Sequence, residues 1–335
     1  MRILITKLSS FGDVIAAMPA VTDAVAAGVE VDWLVDSAFA HVAALHPGVS
    51  RVFALADRRV RNRGRFSLQT WAGRRRLKAD LQARRHDLVV DLQGLLKSAL
   101  PSRWAGAPVH GYDRFSIREP LASRLYTVRH AVPWSLHAVE RNRALLAAAL
   151  GRSPPQGTGN FGLSTRHRMS PDGLPAGYAV ILHAASWPSK LWPEDRWRNL
   201  IAGHADLPVV LPWGDAAEKA RAERIAAGFP HARVLPDRLT DGPLADFLAS
   251  ARVVIGLDSG LMHLANALGA PTLWLFGSTS PEKTGPYGAG ARVLRSSNPH
   301  APCLKRECRH EGGTCMEGVS AQAAETALDE LLSGR

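Results

Sequence analysis

The first twenty residues limit the folds open to this chain more than any other stretch. Arg2-Ile3-Leu4-Ile5-Thr6 is a short β-branched run with the pattern of a buried parallel strand. It leads into the small, polar Lys7-Leu8-Ser9-Ser10-Phe11-Gly12-Asp13-Val14, after which apolar residues recur at helical spacing as far as Ala27. A strand that turns over a polar loop into a helix is the opening unit of a doubly wound α/β domain. Ligands of such domains sit at the carboxyl ends of the strands. Gly12 is expected to permit a tight turn there. Asp13 has two readings, a carboxylate facing the ligand or a cap on the helix. Neither G-x-G-x-x-G nor G-x-x-x-x-G-K-[ST] is present, so this is no phosphate loop.

With 335 residues the chain is long for one core, and two domains are expected. No apolar stretch has the length of a membrane span, and the apolar run after Met1 is too short for a secretory signal. Three cysteines, an odd number, argue against a disulfide framework and for a cytoplasmic protein. Lys and Arg outnumber Asp and Glu by 41 to 30, giving a net charge of +11, which favours an anionic partner: nucleic acid, lipid headgroups or a phosphorylated substrate. The most basic segment holds Arg58, Arg59, Arg61, Arg63 and Arg65 and reads as a mobile loop. Arg74, Arg75, Arg76 and Lys78 follow on a helix. With only Phe66 and Trp71 nearby to stack on bases, a nucleic-acid surface is disfavoured.

Strand-like runs recur at 29–35 and 87–92, with helical patterns at 39–45, 68–84, 95–104 and 137–150. The Gly-, Pro- and Ser-rich stretch from Gly151 to Asn160 punctuates like a linker. Alternation then resumes, with strands at 178–183, 208–213, 252–257 and 271–276 and helices opening at Pro193 and near Ala216. The pattern predicts two α/β domains facing each other across a cleft. Three strand ends of the second half carry similar chemistry. His183-Ala184-Ala185-Ser186 with Lys190 suits a diphosphate. Asp258-Ser259-Gly260-Leu261-Met262-His263 opens a helix whose free N–H groups favour a phosphate, although Asp258 could cap it and His263 could be a core residue. Phe276-Gly277-Ser278-Thr279-Ser280-Pro281 is a third polar turn.

These residues, with Asp91-x-Gln93-Gly94-Leu95-x-Lys97-Ser98, Arg118-Glu119-Pro120-Leu121-Ala122-Ser123, His137-Ala138-Val139-Glu140-Arg141, Lys190-x-Trp192-Pro193-Glu194 and Pro212-Trp213-Gly214, resemble the ADP-heptose glycosyltransferases of lipopolysaccharide inner-core synthesis, family 9. The Ser-Ser-Phe-Gly-Asp form of the first motif points to type I members, which act on Kdo2–lipid A. The resemblance implies a GT-B fold of two facing Rossmann-like domains: an acceptor domain over 1–155, a linker over 156–172, a donor domain over 173–315, and a C-terminal segment over 316–335. Its helix at 321–332 is expected to pack back on the first domain. It also implies inverting, metal-independent transfer with Asp13 as base and Lys190 steadying the departing diphosphate. No cofactor and no metal site are expected. Ser186, Lys190, Glu218, Leu239, Asp258, Ser259, Gly260, Leu261 and His263 would hold the donor. Lys7, Ser10, Gly12, Arg58, Arg59, Arg61, Arg63, Gln93, Lys97 and Arg118 would hold the acceptor. A monomer, peripherally attached to the anionic cytoplasmic face of the inner membrane and without nucleic-acid partners, is the expected state.

Two stretches depart from the family's pattern. Ala185-Ser186 stands where type I relatives often have two threonines, and Trp187-Pro188 is unusual in that loop. The tail carries Cys303-x4-Cys308-x6-Cys315 with His310. That spacing is not the C-x2-C of common zinc sites, and the tail reads as flexible surface with reduced thiols.

Overall fold

In a computed structural model, residues 1–56, 68–163, 173–308, 310 and 313–334 are described. The chain divides into two compact units, Met1–Ser164 and Thr165–Arg335. The first holds β1 (Arg2–Thr6), β2 (Glu30–Asp36), β3 (Val49–Leu55), β4 (Leu88–Asp91), β5 (Val109–Tyr112) and β6 (Val128–His130). Its sheet is ordered β3-β2-β1-β4-β5-β6, and every pairing is parallel. The second holds β7 (Ala179–Leu182), β8 (Val209–Leu211), β9 (Ala232–Val234), β10 (Val253–Leu257), β11 (Thr272–Phe276) and β12 (Ala291–Arg295), again all parallel. Read from β9, that sheet runs β9-β8-β7-β10-β11-β12, which is the same order of connection as the first. In both, the chain reverses direction across the sheet between the first and fourth strands of the unit. Doubly wound folds bind ligands at that switch point.

The central strands are apolar throughout because helices cover both faces. Ile3, Leu4 and Ile5 of β1 and Val253, Val254 and Leu257 of β10 are fully or almost fully buried. Within the first helical region the chain breaks into Phe11–Ile15 and Met18–Ala26. Pro19 lies in the first turn of the second piece, where its missing N–H costs no hydrogen bond. Residues beyond Gly151 stay on the first unit: Gly157 O accepts from Arg143 Nη1 at 2.7 Å. A Cβ on Gly159 would meet Pro19 and Arg143 within 3 Å.

Three sequence expectations are corrected. The final helix, Ala321–Leu332, expected on the first domain, buries Ala324, Ala327 and Leu328 in the core of the second unit, beside Trp197, Leu200 and Leu275. Its apolar stripe was legible, but a stripe does not name its partner. Gly12 makes no left-handed turn; it lies inside the helix Phe11–Ile15. The cysteine tail is not loose surface, for Cys315 is fully buried.

Candidate functional site

In the first unit, β1 and β4 lie side by side with Thr6 opposite Asp91, so the loops that follow them meet. Asp91 is the hub. Its Oδ1 accepts from the N–H groups of Gln93 (2.9 Å) and Gly94 (3.3 Å), and its Oδ2 from Ser98 Oγ (2.8 Å) and Tyr126 OH (2.7 Å). Burial nevertheless raises its pKa, against those hydrogen bonds. Gln93 clamps the opposite loop. Its Oε1 accepts from Leu8 N (2.8 Å) and Ser9 N (3.1 Å), and its amide donates to Ser9 O. Lys97 donates to Ser9 Oγ. Lys7 is buried, donates to Leu92 O at 2.9 Å, and has its pKa lowered by that burial while Asp13 and Asp91 pull the other way.

Asp13 is not the N-cap, a position Ser10 takes, but stands three residues on and closes a capping box: Oδ2 accepts from Ser10 N (2.8 Å) and Ser10 Oγ (3.0 Å). It also stands in a charged neighbourhood, acting on both Lys7 and Tyr112. Arg141, which sequence reasoning placed in a motif but gave no role, belongs here. It donates to Ser116 O at 2.6 Å and lies over the rings of Tyr112 (4.7 Å) and Trp134 (4.0 Å). Tyr112 is buried, which pushes its pKa up to about 12. Arg118 is exposed on the turn before Pro120. Arg58, Arg59, Arg61 and Arg63 lie outside the described residues.

In the second unit the matching place is the carboxyl end of β7 and β10, where Leu182 pairs with Gly256. Lys190 closes a short 3-10 turn, Pro188–Lys190, and donates to Asp258 Oδ2 at 2.6 Å and Asp258 O at 3.1 Å. Thr279 Oγ1 donates to the same Oδ2 at 2.8 Å, and His263 Nε2 stands 3.8 Å from Oδ1. Burial would raise the Asp258 carboxyl, but the His263 imidazole and the Lys190 cation outweigh it and hold it well below the usual carboxylate range. Asp258 is therefore a permanent acceptor of hydrogen bonds. It is not the cap of the helix Gly260–Ala267, a position taken by Ser259. His263 meets Trp274 edge to face at 4.9 Å, which fixes the imidazole.

Glu218 lies in the first turn of the helix Ala216–Ala226, and its Oε2 accepts from Gly214 N at 2.7 Å. A Cβ at Gly214 would stand 2.9 Å from that oxygen, so glycine gives it room. Ser186 is exposed on the turn before Lys190, and Leu239 is half-buried ahead of the helix Asp241–Ala249. Thus β7 and β10 bring together Lys190, Asp258, Ser259, Gly260, Leu261 and His263. Thr279 was missed as a site residue although its turn was singled out. Its bond to Asp258 spans 21 residues and leaves no local signal.

Paired doubly wound units with polar clusters at their switch points are the framework of GT-B glycosyltransferases, and this chain is one. Residues 74–313 match the model of glycosyltransferase family 9 (heptosyltransferase). The chain belongs to that family. It is 47% identical to lipopolysaccharide heptosyltransferase 1 of Pseudomonas aeruginosa, over 99% of this chain and 98% of the relative. The solved E. coli heptosyltransferase WaaC with ADP superposes with a TM-score of 0.87 at 38% identity, covering 99% of this chain and 100% of that one. The form with ADP-2-deoxy-2-fluoro heptose gives 0.85 at 38% identity, covering 98% and 99%. Full-length similarity at this level places the chain with the type I heptosyltransferases of lipopolysaccharide biosynthesis, as the Ser-Ser-Phe-Gly-Asp motif led one to expect.

Proposed function

We propose that the chain transfers L-glycero-D-manno-heptose from ADP-heptose to a Kdo hydroxyl of Kdo2–lipid A, with inversion at the anomeric carbon. The observation that carries this reading is the Lys190–Asp258–Thr279 cluster at the switch point of the second unit, in a fold that superposes on an enzyme solved with ADP and with a fluorinated ADP-heptose. The donor diphosphate would lie against Lys190 and the N–H groups of Gly260 and Leu261, where the helix dipole adds positive potential. Asp258, held ionised, would accept hydroxyls of the sugar. Glu218 uses one oxygen on Gly214 and would offer the other to the ribose. Ser186 would add a hydroxyl to the phosphates, and Leu239 would cover the adenine.

In the transfer step the acceptor oxygen attacks the anomeric carbon as the bond to the β-phosphate oxygen breaks, and ADP leaves with the electron pair. Asp13 would take the acceptor proton. Ser10 occupies Oδ2, so the proton would go to Oδ1. Lys190 would neutralise the charge growing on ADP, where a preorganised cation acts without rearrangement. Arg118, with the buried Lys7, would provide positive potential for the acceptor's anionic groups.

A lipid acceptor also calls for a membrane surface. The first unit exposes Phe115, Leu121 and Trp134 in company with Arg114, Arg118 and Arg124. Apolar side chains among arginines suit peripheral contact with an anionic leaflet. No described helix is long and apolar enough to cross a membrane.

The test is ADP release from ADP-heptose with and without delipidated Kdo2–lipid A, with no metal added. Acceptor-dependent release supports the reading. ADP-heptose binding without release moves the error to the acceptor, and failure to bind the donor overturns the whole assignment.

A further inference from the structure

The cysteine tail gathers soft ligands. Cys308 Sγ lies 3.6 Å from Cys315 Sγ and 3.9 Å from His300 Nε2, and the three ligand atoms are all within 4.8 Å of one another. Cys303, five residues before Cys308, lies in the same segment and is half-buried. A disulfide needs sulfurs about 2.0 Å apart, and all three cysteines are free. A tetrahedral zinc ion sets different spacings. With Zn–S near 2.3 Å and Zn–N near 2.0–2.1 Å, sulfurs stand about 3.8 Å apart and sulfur and nitrogen about 3.6 Å. The Cys308–Cys315 and Cys308–His300 separations fall within a few tenths of these. The His310 ring stacks on His300 at 3.9 Å, which fixes the plane of the imidazole.

We propose that Cys308, Cys315 and His300, joined by Cys303 as the fourth ligand, form a Cys3His site for a thiophilic divalent ion of the zinc class. Four protein ligands leave no open position, so the ion would be structural and take no part in glycosyl transfer. Its place in the fold gives it a purpose. Ser189, next to Lys190, donates through N to Arg306 O (3.2 Å) and through Oγ to Lys305 O (2.6 Å). Leu304 N donates to Ser278 O at 2.8 Å. Leu304 itself takes a left-handed φ of 54°, a conformation non-glycine residues adopt only where their surroundings hold them. Gly277 is packed so closely on Cys315 and Met316 that a Cβ would stand within 3 Å of both. An ion binding the four ligands would thus fix the segment on which the Lys190 turn and the Ser278–Thr279 turn both rest.

The experiment is metal analysis of the purified full chain after exposure to Zn2+ and gel filtration, with optical spectra of the Co2+-substituted protein. About one zinc per chain and the visible bands of tetrahedral, thiolate-bound Co2+ are expected. Cys308→Ser and His300→Ala should lose the ion, while His310→Ala keeps it. Should Cys315→Ser fail to fold, the Co2+ spectrum of the unaltered chain carries the test. Cys303→Ser, which leaves the three mutually close ligands in place, should then keep Co2+ with the thiolate charge-transfer band reduced from three sulfurs' worth to two. The site is overturned by an absence of retained metal with thiols that react equally fast with and without Zn2+. A Cys308–Cys315 disulfide found by mass spectrometry overturns it as well. Both readouts are independent of donor and acceptor.

Discussion

The two units share one order of strands and wire their switch points in opposite ways. In the first, the polar groups hold the protein itself. Asp91 spends both oxygens on four donors, Gln93 clamps Leu8 and Ser9, and Lys7 is buried against Leu92 O. In the second, the charges hold each other, with Lys190, Thr279 and His263 converging on Asp258. Two hydroxyls beside them, Ser259 Oγ and Ser278 Oγ, are buried with no hydrogen-bond partner among the described residues. The contrast teaches that one topology can serve two ends. A saturated network makes a mount that presents Asp13, the proposed base, whereas an unsaturated one would keep bonding capacity for a ligand.

The sharpest way to break this comparison is to remove the presented group from each unit. Asp13→Ala should lower kcat by roughly 10²–10⁴, the range of a lost general base. Donor binding should persist. Lys190→Ala should lower kcat by about 10²–10³. It should weaken ADP binding too, because Asp258 is left without its cation. Titration calorimetry with ADP on both proteins separates the two. Equal loss of ADP affinity would erase the division of labour between the units.

Acid offers a test that reaches both units together. Burial lowers His46 in the first unit and His183 in the second to about 4, with Arg221 assisting at His183. Both imidazoles are neutral in the folded chain near pH 5, while the unfolded chain, with the usual value near 6.5, binds protons there. Stability is therefore complete above about pH 6.5. It falls through the window down to about pH 4, by about 1.4 kcal/mol per pH unit for each histidine. Urea midpoints between pH 7 and 5 measure that slope. His183→Asn should remove one histidine's share from the second unit's transition, leaving the first unit's slope unchanged.

What the sequence made legible follows burial. The apolar runs of β1, β2, β4, β7, β8, β10 and β11 were read, and all lie inside their sheets. The strands missed include all four sheet edges, β3, β6, β9 and β12. Val128-Arg129-His130 and Ala232-Arg233-Val234 are short, carry charge and are partly exposed, so they show no apolar run. The remaining miss, β5, interrupts its apolar residues with His110 and Gly111. In the sites, residues close in sequence were legible, such as Asp258 to His263. Tyr126 on Asp91 and Thr279 on Asp258 were not, because bonds across 35 and 21 residues exist only once the sheet has formed. Gln93 was read as an acceptor contact; its bonds to the backbone of Leu8 and Ser9, across more than eighty residues, had no local signal either.

Deleting one buried hydroxyl from each unit gives the smallest and most discriminating effects. Tyr126→Phe takes one of four donors from the buried Asp91 carboxyl. Leaving a buried acceptor short of a partner costs about 1–3 kcal/mol, so its thermal midpoint should fall by the equivalent. Ser278→Ala removes a hydroxyl that makes no hydrogen bond among the described residues, so no desolvated partner is left behind there. Its stability should stay within about 0.5 kcal/mol of the parent or rise, since an unsatisfied buried group costs about 1–3 kcal/mol. Its affinity for ADP should nonetheless drop, because the lost hydroxyl is one the folded protein had left uncommitted beside Asp258. A Ser278→Ala protein destabilised as much as Tyr126→Phe would mean that the second network is as saturated as the first, and the contrast between the units would fail.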